Sequence, residues 1–359
     1  MIKQLKKITV NMIAGANVAT VILMLLVGFA GYVNPANHPY LSCASLIFPL
    51  FLLINLGFLF FWLTFKWRMA FIPVAGYLLV LFPLHIYLPL NPQSDPPAGA
   101  IKVLSFNLQC YSGQPNYDDG FEPIFQYIKS ENADIVCTQE DMDTWRNSNV
   151  RYDSLYAYND TTHIGSMPDN NGVGIHTRYP ILRKERIPYT SKGNGSVAYY
   201  LLIHGDIVLV INNHFESNHI TEHERQKYTA LTKGDLAKDT MRATSQMIIG
   251  KLGFAAAQRA PEADMVHRYI MSHRQYPMIV CGDFNDGPLS YTRHIVSQGL
   301  TDCYVTTGFG LGLSYNQNRF YVRIDNILCS SHFKPYQCHV DREIDASDHY
   351  PIICWLKKR

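Results

Sequence analysis

No C-x-x-C pair occurs among the eight cysteines of this 359-residue chain, so the usual spacings of structural zinc and thioredoxin-like redox motifs are excluded. An excess of charge is missing too: 31 Lys and Arg stand against 29 Asp and Glu. Such a balance lacks the basic footprint of a general nucleic-acid binder, although bound divalent cations can offset local acid charge. Acid is almost absent from the first hundred residues, where Asp95 stands beside five cations, Lys3, Lys6, Lys7, Lys66 and Arg68. The remainder then carries 26 basic and 28 acidic residues. Seven cysteines fall in that remainder, an odd number, and Cys137, Cys281, Cys329 and Cys354 sit in or beside apolar runs. Buried cysteine is usually a small hydrophobe, so few disulfides or none are expected. Internal repeats are absent after residue 100, which excludes a repeat architecture there.

What is present begins with three long apolar runs, at about residues 8–33, 41–65 and 69–90, none containing a charged residue. Each is long enough to cross a hydrocarbon core as a helix, which takes roughly 20 residues. Buried soluble helices would need polar faces that these runs lack. A cleaved signal peptide fits poorly, because the first run is long and two more follow. The lysines precede the first run, and Lys66 and Arg68 lie between the second and third. The positive-inside rule therefore predicts a cytoplasmic N-terminus and an integral membrane protein whose chain after residue 90 is extracytoplasmic, periplasmic in a diderm bacterium. Residues 91–100 form a Pro-rich linker, expected to act as a semi-rigid spacer between residues 1–90 and a domain at 101–359.

Downstream, short apolar strands alternate with helical stretches. Residues 101–106, 134–137, 172–177 and 207–211 read as strands, and residues 222–273 as mainly helical. The pattern predicts an α/β domain with packed sheets. Its centre is Met278-Ile279-Val280-Cys281-Gly282-Asp283-Phe284-Asn285-Asp286, a buried strand ended by Gly282, with polar side chains projecting from the turn beyond. Alone, that is also how an ordinary Asx turn reads. It has companions, however: Asn107, Glu140, His214, Asp325, Asp348 and His349 each stand at the edge of a strand-like run. Strand edges gathered on one cleft would supply hard oxygen ligands suited to Mg²⁺ or Mn²⁺, and imidazoles able to move protons near neutral pH.

The segments Ser105-Phe106-Asn107, Thr138-Gln139-Glu140, Asn212-Asn213-His214, Gly282-Asp283-Phe284-Asn285, Arg323-Ile324-Asp325 and Ser347-Asp348-His349 resemble, in order and rough spacing, the motif set of the endonuclease/exonuclease/phosphatase superfamily. The resemblance covers residue 101 to the C-terminus and leaves the apolar runs outside. It implies a four-layer α-β-β-α sandwich of two mixed sheets and metal-dependent phosphoester hydrolysis. Carried over by position, Glu140 is the principal metal ligand, with Asn107 near the ion and Asp348 a second contact. Asp283 orients or deprotonates the attacking water, Asn285 binds the phosphoryl oxygens, and Asp325 fixes His349 as a cation. His214 stabilises the transition state or protonates the leaving oxygen. Phe106 stands where tryptophan is common and Thr138 where an aliphatic residue is usual. His214, where one branch has tyrosine, moves the likeness toward secreted nucleases, sphingomyelinases and other phosphodiesterases. Arg178 matches a family position that contacts phosphate or makes a structural ion pair.

The sequence thus predicts a membrane-anchored nuclease or phosphodiesterase. Its expected partners are a phosphodiester, either nucleic acid or a phospholipid or small phosphoester, and the bilayer; no protein partner is inferred. A lipid or small-molecule phosphoesterase and a non-catalytic binding module on the same fold are the alternatives. His219 and His223 are spaced i, i+4, but no H-E-x-x-H motif is present, and a solvated face is expected. Residues 308–312, rich in glycine, are expected to form a flexible loop. Arg225 and Lys227, soon after His214, could reach substrate, but a solvated helix face is expected.

Overall fold

The computed structural model describes residues 2–113, 119–142, 151–165, 171–191, 193–233, 238–317 and 320–359. The apolar N-terminal part forms α1 (Ile2–Gly28), the short α2 (Pro39–Ser42), α3 (Phe48–Phe65), α4 (Phe71–Leu79) and α5 (Leu81–Tyr87). Two segments, Ile2–Gly28 and Pro39–Phe65, are long and apolar enough to cross a membrane; the third run breaks at Val80, where its halves meet at 63°. That break departs from the single straight span expected over residues 69–90. Pro83, which has no N–H, cannot bond the carbonyl of Leu79 across the break.

Contacts between helices set the bundle's direction. Asn17 donates to Asn55 Oδ1 at 3.0 Å and accepts from Trp62 Nε1 at 3.0 Å, while Gly28 meets Phe48 and Pro83. Buried amides of this kind bridge helices where apolar packing has no water to escape from. α1 therefore runs antiparallel to α3, and α4 and α5 run alongside α1. The outer face is apolar, with Leu53, Phe60, Phe65 and Leu78 each more than half exposed, a surface suited to lipid rather than water.

Among the described residues, twelve strands build two six-stranded sheets. The first holds β1 (Ile101–Asn107), β2 (Ile135–Gln139), β3 (Tyr158–Ile164), β4 (Asn171–Thr177), β11 (Phe333–Val340) and β12 (Ile352–Lys358), ordered β11-β12-β1-β2-β4-β3. The second holds β5 (Ile181–Arg186), β6 (Gly195–Ile203), β7 (Asp206–His214), β8 (Met278–Asp283), β9 (Thr301–Asp302) and β10 (Asp325–Cys329), ordered β5-β6-β7-β8-β10-β9. Inward residues such as Val103, Cys137, Val197, Val210, Ile279 and Ile327 make one core between the sheets. Outer cores lie under α6 (Phe121–Glu131) and under the long helix α8 (Lys238–Ser272), which follows α7 (Glu222–Lys233). This is the four-layer sandwich that the family resemblance implies. All eight cysteines are free thiols.

The linker does not hang as a spacer. Asn91 Nδ2 donates to the carbonyls of Val305 and Gly308 at 2.9 Å, and Lys357 Nζ donates to Ala98 O at 2.8 Å. The glycine-rich loop it meets is held as well, by Gly310 N donating to Pro89 O at 2.8 Å. Backbone groups of the chain joining the two halves thereby satisfy the loop's own.

Candidate active site

Two directions of strand bring the polar edges together. β1 and β2 run parallel, as do β7 and β8, and they offer their C-terminal ends: Asn107, Glu140 just after Gln139, His214 and Asp283. β10 is antiparallel to β8 with Asp325 opposite Asp283, and β12 is antiparallel to β1 with Ile352 opposite Ser105. These two strands therefore bring their starts to the same rim, so Asp325 opens a strand and Asp348-His349 precede one.

The backbone at this rim is unusual. Gly282 has φ +127, and a Cβ there would lie 2.0 Å from the carbonyl oxygen of Asn213. Only glycine lets β7 and β8 approach so closely. Glu140 and Asn285 both have φ 51, and Gln109, Cys110 and Tyr111 form a left-handed turn with φ of 48 to 55. Left-handed backbone costs about 1–2 kcal/mol per residue, so the surroundings must impose it. Gln109 Oε1 there accepts the backbone N–H of Asp348 at 3.0 Å. Burial raises the Cys110 thiol to about 12, with Glu140 adding to the rise, so it stays protonated.

Asp283 is the hub. Its Oδ1 accepts the Asn285 N–H at 2.8 Å and its Oδ2 accepts Asn107 Nδ2 at 3.0 Å. Nε2 of His349 lies 3.7 Å from Asp283 and Nε2 of His214 lies 3.8 Å away. Asn107 Nδ2 also reaches Glu140 Oε1 at 3.3 Å, and His214 Nε2 is 3.6 Å from that oxygen. Asp325 Oδ2 accepts Nδ1–H of His349 at 2.9 Å. Burial opposes charge on His349, but Asp325 and Asp283 outweigh it and raise the imidazole to about 10. Burial lowers His214, with Asp283 opposing, so that ring is neutral. Burial also raises Glu140, Asp283 and Asp348, the last to about 6, with His349 opposing in each case.

Asn285 is nearly buried and donates through Nδ2 to Phe215 O at 2.9 Å. Behind the rim, Gln139 Nε2 donates to Asn212 Oδ1 at 2.6 Å, while Asn212 Nδ2 donates to the carbonyls of Thr138 and Gly174. That buried network pins one sheet to the other below the reacting groups.

Eight of the nine predicted residues thus meet at one end of the sandwich. Arg178 does not. It follows β4, whose Thr177 pairs with Ile135, at the opposite end of the sheet from Glu140. There it bonds Asp134 Oδ1 at 3.2 Å and the side chain of Asn132, the structural ion pair rather than the phosphate contact.

Arg225 is a correction in the other direction. It lines the cleft with its Nη1 3.8 Å from Asp348 and its guanidinium over the ring of Tyr315. Buried Arg259 of α8 donates to Glu216 O at 2.9 Å and Asn218 Oδ1 at 3.0 Å, bracing the loop after His214. Neither role has a local signature, because Arg225 meets Asp348 and Arg259 meets the loop after His214 only through folding. His219 is exposed and lies 2.5 Å from Glu216, an ordinary pairing on the cleft's border.

A family model described as Endonuclease/Exonuclease/phosphatase family matches residues 104–349. The chain belongs to that family. A second model, described as a domain of unknown function, matches residues 10–87. No curated protein matches the chain. Among solved structures of the family's fold, a humanized D. rerio TDP2 carrying 14 mutations superposes with a TM-score of 0.51 at 16% identity, over 72% of this chain and 99% of that one. SmcL superposes with a TM-score of 0.51 at 15% identity, over 73% of this chain and 100% of that one. At these identities the likeness is one of fold. Membership brings the phosphoesterase fold of the Endonuclease/Exonuclease/phosphatase family to residues 104–349, and the apolar helices lie outside it.

Proposed function

We propose that this chain is a membrane-anchored hydrolase that needs a divalent cation and cleaves a phosphodiester with water held at Asp283. The observation that carries the reading is the meeting of His214 and His349 with Asp283 at 3.8 and 3.7 Å, with Glu140 3.6 Å from His214.

The donors fit a hard cation. Glu140, Asp283 and Asp348 are carboxyls raised by burial, and nearby positive charge stabilises them. Among the described residues the tightest cluster of possible ligands is Asp283, Asp325 and His349. In that cluster Asp325 Oδ2 and His349 Nδ1 are joined by their own hydrogen bond, so those two side chains read better as a proton-holding pair. Glu140, whose side chain remains 26% exposed to the cleft, would hold Mg²⁺ or Mn²⁺ with Asn107 and Asp348. When bound, such an ion supplies positive charge to the phosphoryl oxygens and acidifies water.

Asp283 takes a proton from the attacking water, whose oxygen bonds to phosphorus as the phosphorus–oxygen bond to the leaving group breaks. Asn107 and the Asn285 N–H hold the carboxylate in orientation for this. His349, kept cationic by Asp325, offsets the charge growing on the phosphoryl oxygens, and Asn285 adds its amide to them. Both ring nitrogens of His214 lack a hydrogen-bond partner among the described residues, so its N–H is available to the phosphoryl or leaving oxygen.

The bundle supports the predicted orientation. Lys3, Lys6, Lys7, Lys66 and Arg68 lie at the ends of α1, α3 and α4 remote from the Gly28–Phe48 contact, and it is beyond that contact that the catalytic domain docks. Under the positive-inside rule the domain is extracytoplasmic.

The test is turnover of bis-p-nitrophenyl phosphate by the purified full chain in detergent, with Mg²⁺ or Mn²⁺ and with EDTA. Metal-dependent turnover lost in Asp283→Ala is expected. A wild type inert with both metals on that ester, on plasmid DNA and on phospholipid would overturn the reading.

A further inference from the structure

The N-terminal module forms part of the cleft. Gly31 packs so tightly on the turn before α9 (Tyr291–Val296) that a Cβ would lie 2.6 Å from Leu289 O. Tyr32 packs against His294 with ring centroids 4.1 Å apart and the planes tilted by 41°, and Asn34 Nδ2 donates to Tyr291 Oη at 3.1 Å. The stretch that follows, α2 and the entry to α3, lies along α8, where a Cβ on Gly253 would meet Pro39 O at 3.0 Å. A cleft of about 640 Å³ runs from Glu140, Asp283 and His349 to this stretch.

Its two ends differ chemically. Beyond the catalytic groups the walls are apolar, with Leu46 and Pro49 from the module, Ile249 and Leu252 from α8, and Tyr228 stacked on Phe320 at 3.9 Å. Leu46 is 51% and Ile249 44% exposed, and both stand where the chain enters α3, a helix long and apolar enough to cross a membrane. The charge does not suit a polyanion. The arginines lining the cleft, Arg225 and Arg259, face four carboxylates, Glu140, Asp283, Asp286 and Asp348, and each arginine has a carboxylate within 4 Å. A nucleic-acid groove needs unpaired cations along its length.

Building on the hydrolase reading, the geometry points to a membrane lipid carrying a phosphodiester as the substrate. Its phosphate sits between Glu140, Asp283 and His349, and its chains leave along Leu46, Pro49 and Ile249 into the bilayer that holds α3. The volume is in the range that takes a small-molecule ligand, enough for a headgroup and the first part of the chains. The module of unknown function is then a specificity element as well as an anchor. The reaction balances as ordinary hydrolysis: water adds to phosphorus, and the phosphorus–oxygen bond breaks to leave a phosphomonoester and an alcohol.

The experiment uses the full chain in detergent micelles containing phosphatidylglycerol, phosphatidylethanolamine or sphingomyelin, with bis-p-nitrophenyl phosphate and single-stranded DNA as parallel substrates. Metal-dependent cleavage of at least one lipid is expected, and Leu46→Glu and Ile249→Glu should each lower the ratio of lipid to bis-p-nitrophenyl phosphate turnover at least tenfold. Both sites are exposed, and turnover of the small ester by each variant reports on its folding. Turnover of the small ester or DNA without any lipid would overturn this inference alone, and so would an unchanged ratio in both variants. No turnover of any substrate would overturn the hydrolase reading with it.

Discussion

Arg323, two residues before Asp325, donates to the carbonyl of Ile86 at the end of the last apolar helix and, at 2.9 Å, to Leu311 O. Its guanidinium lies over the ring of Tyr304 at 4.5 Å, and almost none of its surface reaches solvent. One side chain thus joins the N-terminal apolar helices to the strand that begins at Asp325. Arg323→Ala leaves the buried Ile86 carbonyl unpaired and frees that of the more exposed Leu311, a loss of about 1–3 kcal/mol. A lower melting temperature and faster proteolysis in the 91–100 linker are expected in detergent. A wild-type melting curve and digestion pattern would show that the clamp carries no weight.

Asp325 is proposed to act through His349, whose Nδ1 it holds at 2.9 Å. Asp325→Asn keeps the size of the side chain but removes the charge that holds the imidazole as a cation. The expected result is a kcat lower by roughly 10²–10³, the scale for losing a group that offsets developing charge, with KM moved far less. Steady-state kinetics on bis-p-nitrophenyl phosphate separate the two, and a change confined to KM would contradict the assignment.

Glu140 is the proposed principal ligand. Glu140→Gln keeps the shape and discards the charge, so Mn²⁺ affinity measured by calorimetry should fall at least tenfold. EDTA should abolish wild-type turnover, with recovery when Mg²⁺ or Mn²⁺ is restored. Undiminished Mn²⁺ affinity in the variant would move the site elsewhere, with the Asp283, Asp325 and His349 cluster next in line.

Glu262 on α8 supplies a pH test away from the site. Its carboxyl accepts the Glu216 N–H at 2.9 Å, and burial raises it to about 8, with that hydrogen bond opposing. Because the folded value lies above the ordinary 4.5, the folded chain holds the proton more tightly than the unfolded chain. Stability from this group is complete below the ordinary value and is lost as pH rises toward the folded one. Glu262→Gln, which stays neutral, should melt several degrees above wild type at alkaline pH and close to it in mild acid. Parallel melting curves across that range would refute the assignment.

Much of this was legible from residue order. Ile101–Asn107 and Met278–Asp283 are buried strands whose apolar runs end in polar residues, a pattern written in neighbours along the chain. The apolar runs were equally plain, since hydropathy sums over adjacent residues. β3, by contrast, reads Tyr-Asn-Asp-Thr-Thr-His-Ile. An edge strand of polar residues carries no strong period, and pairing with β4 makes it a strand.

The order of residues by itself determined the family and the identity of the eight groups at the rim. Those follow from local patterns and motif spacing. Only tertiary structure decided that Arg178 lies at the far end of its sheet, that Arg225 meets Asp348, and that Leu46 and Pro49 wall the cleft. Each depends on strand direction and on packing between segments far apart in the chain, and side chains that meet only through folding leave no periodic trace in the linear order.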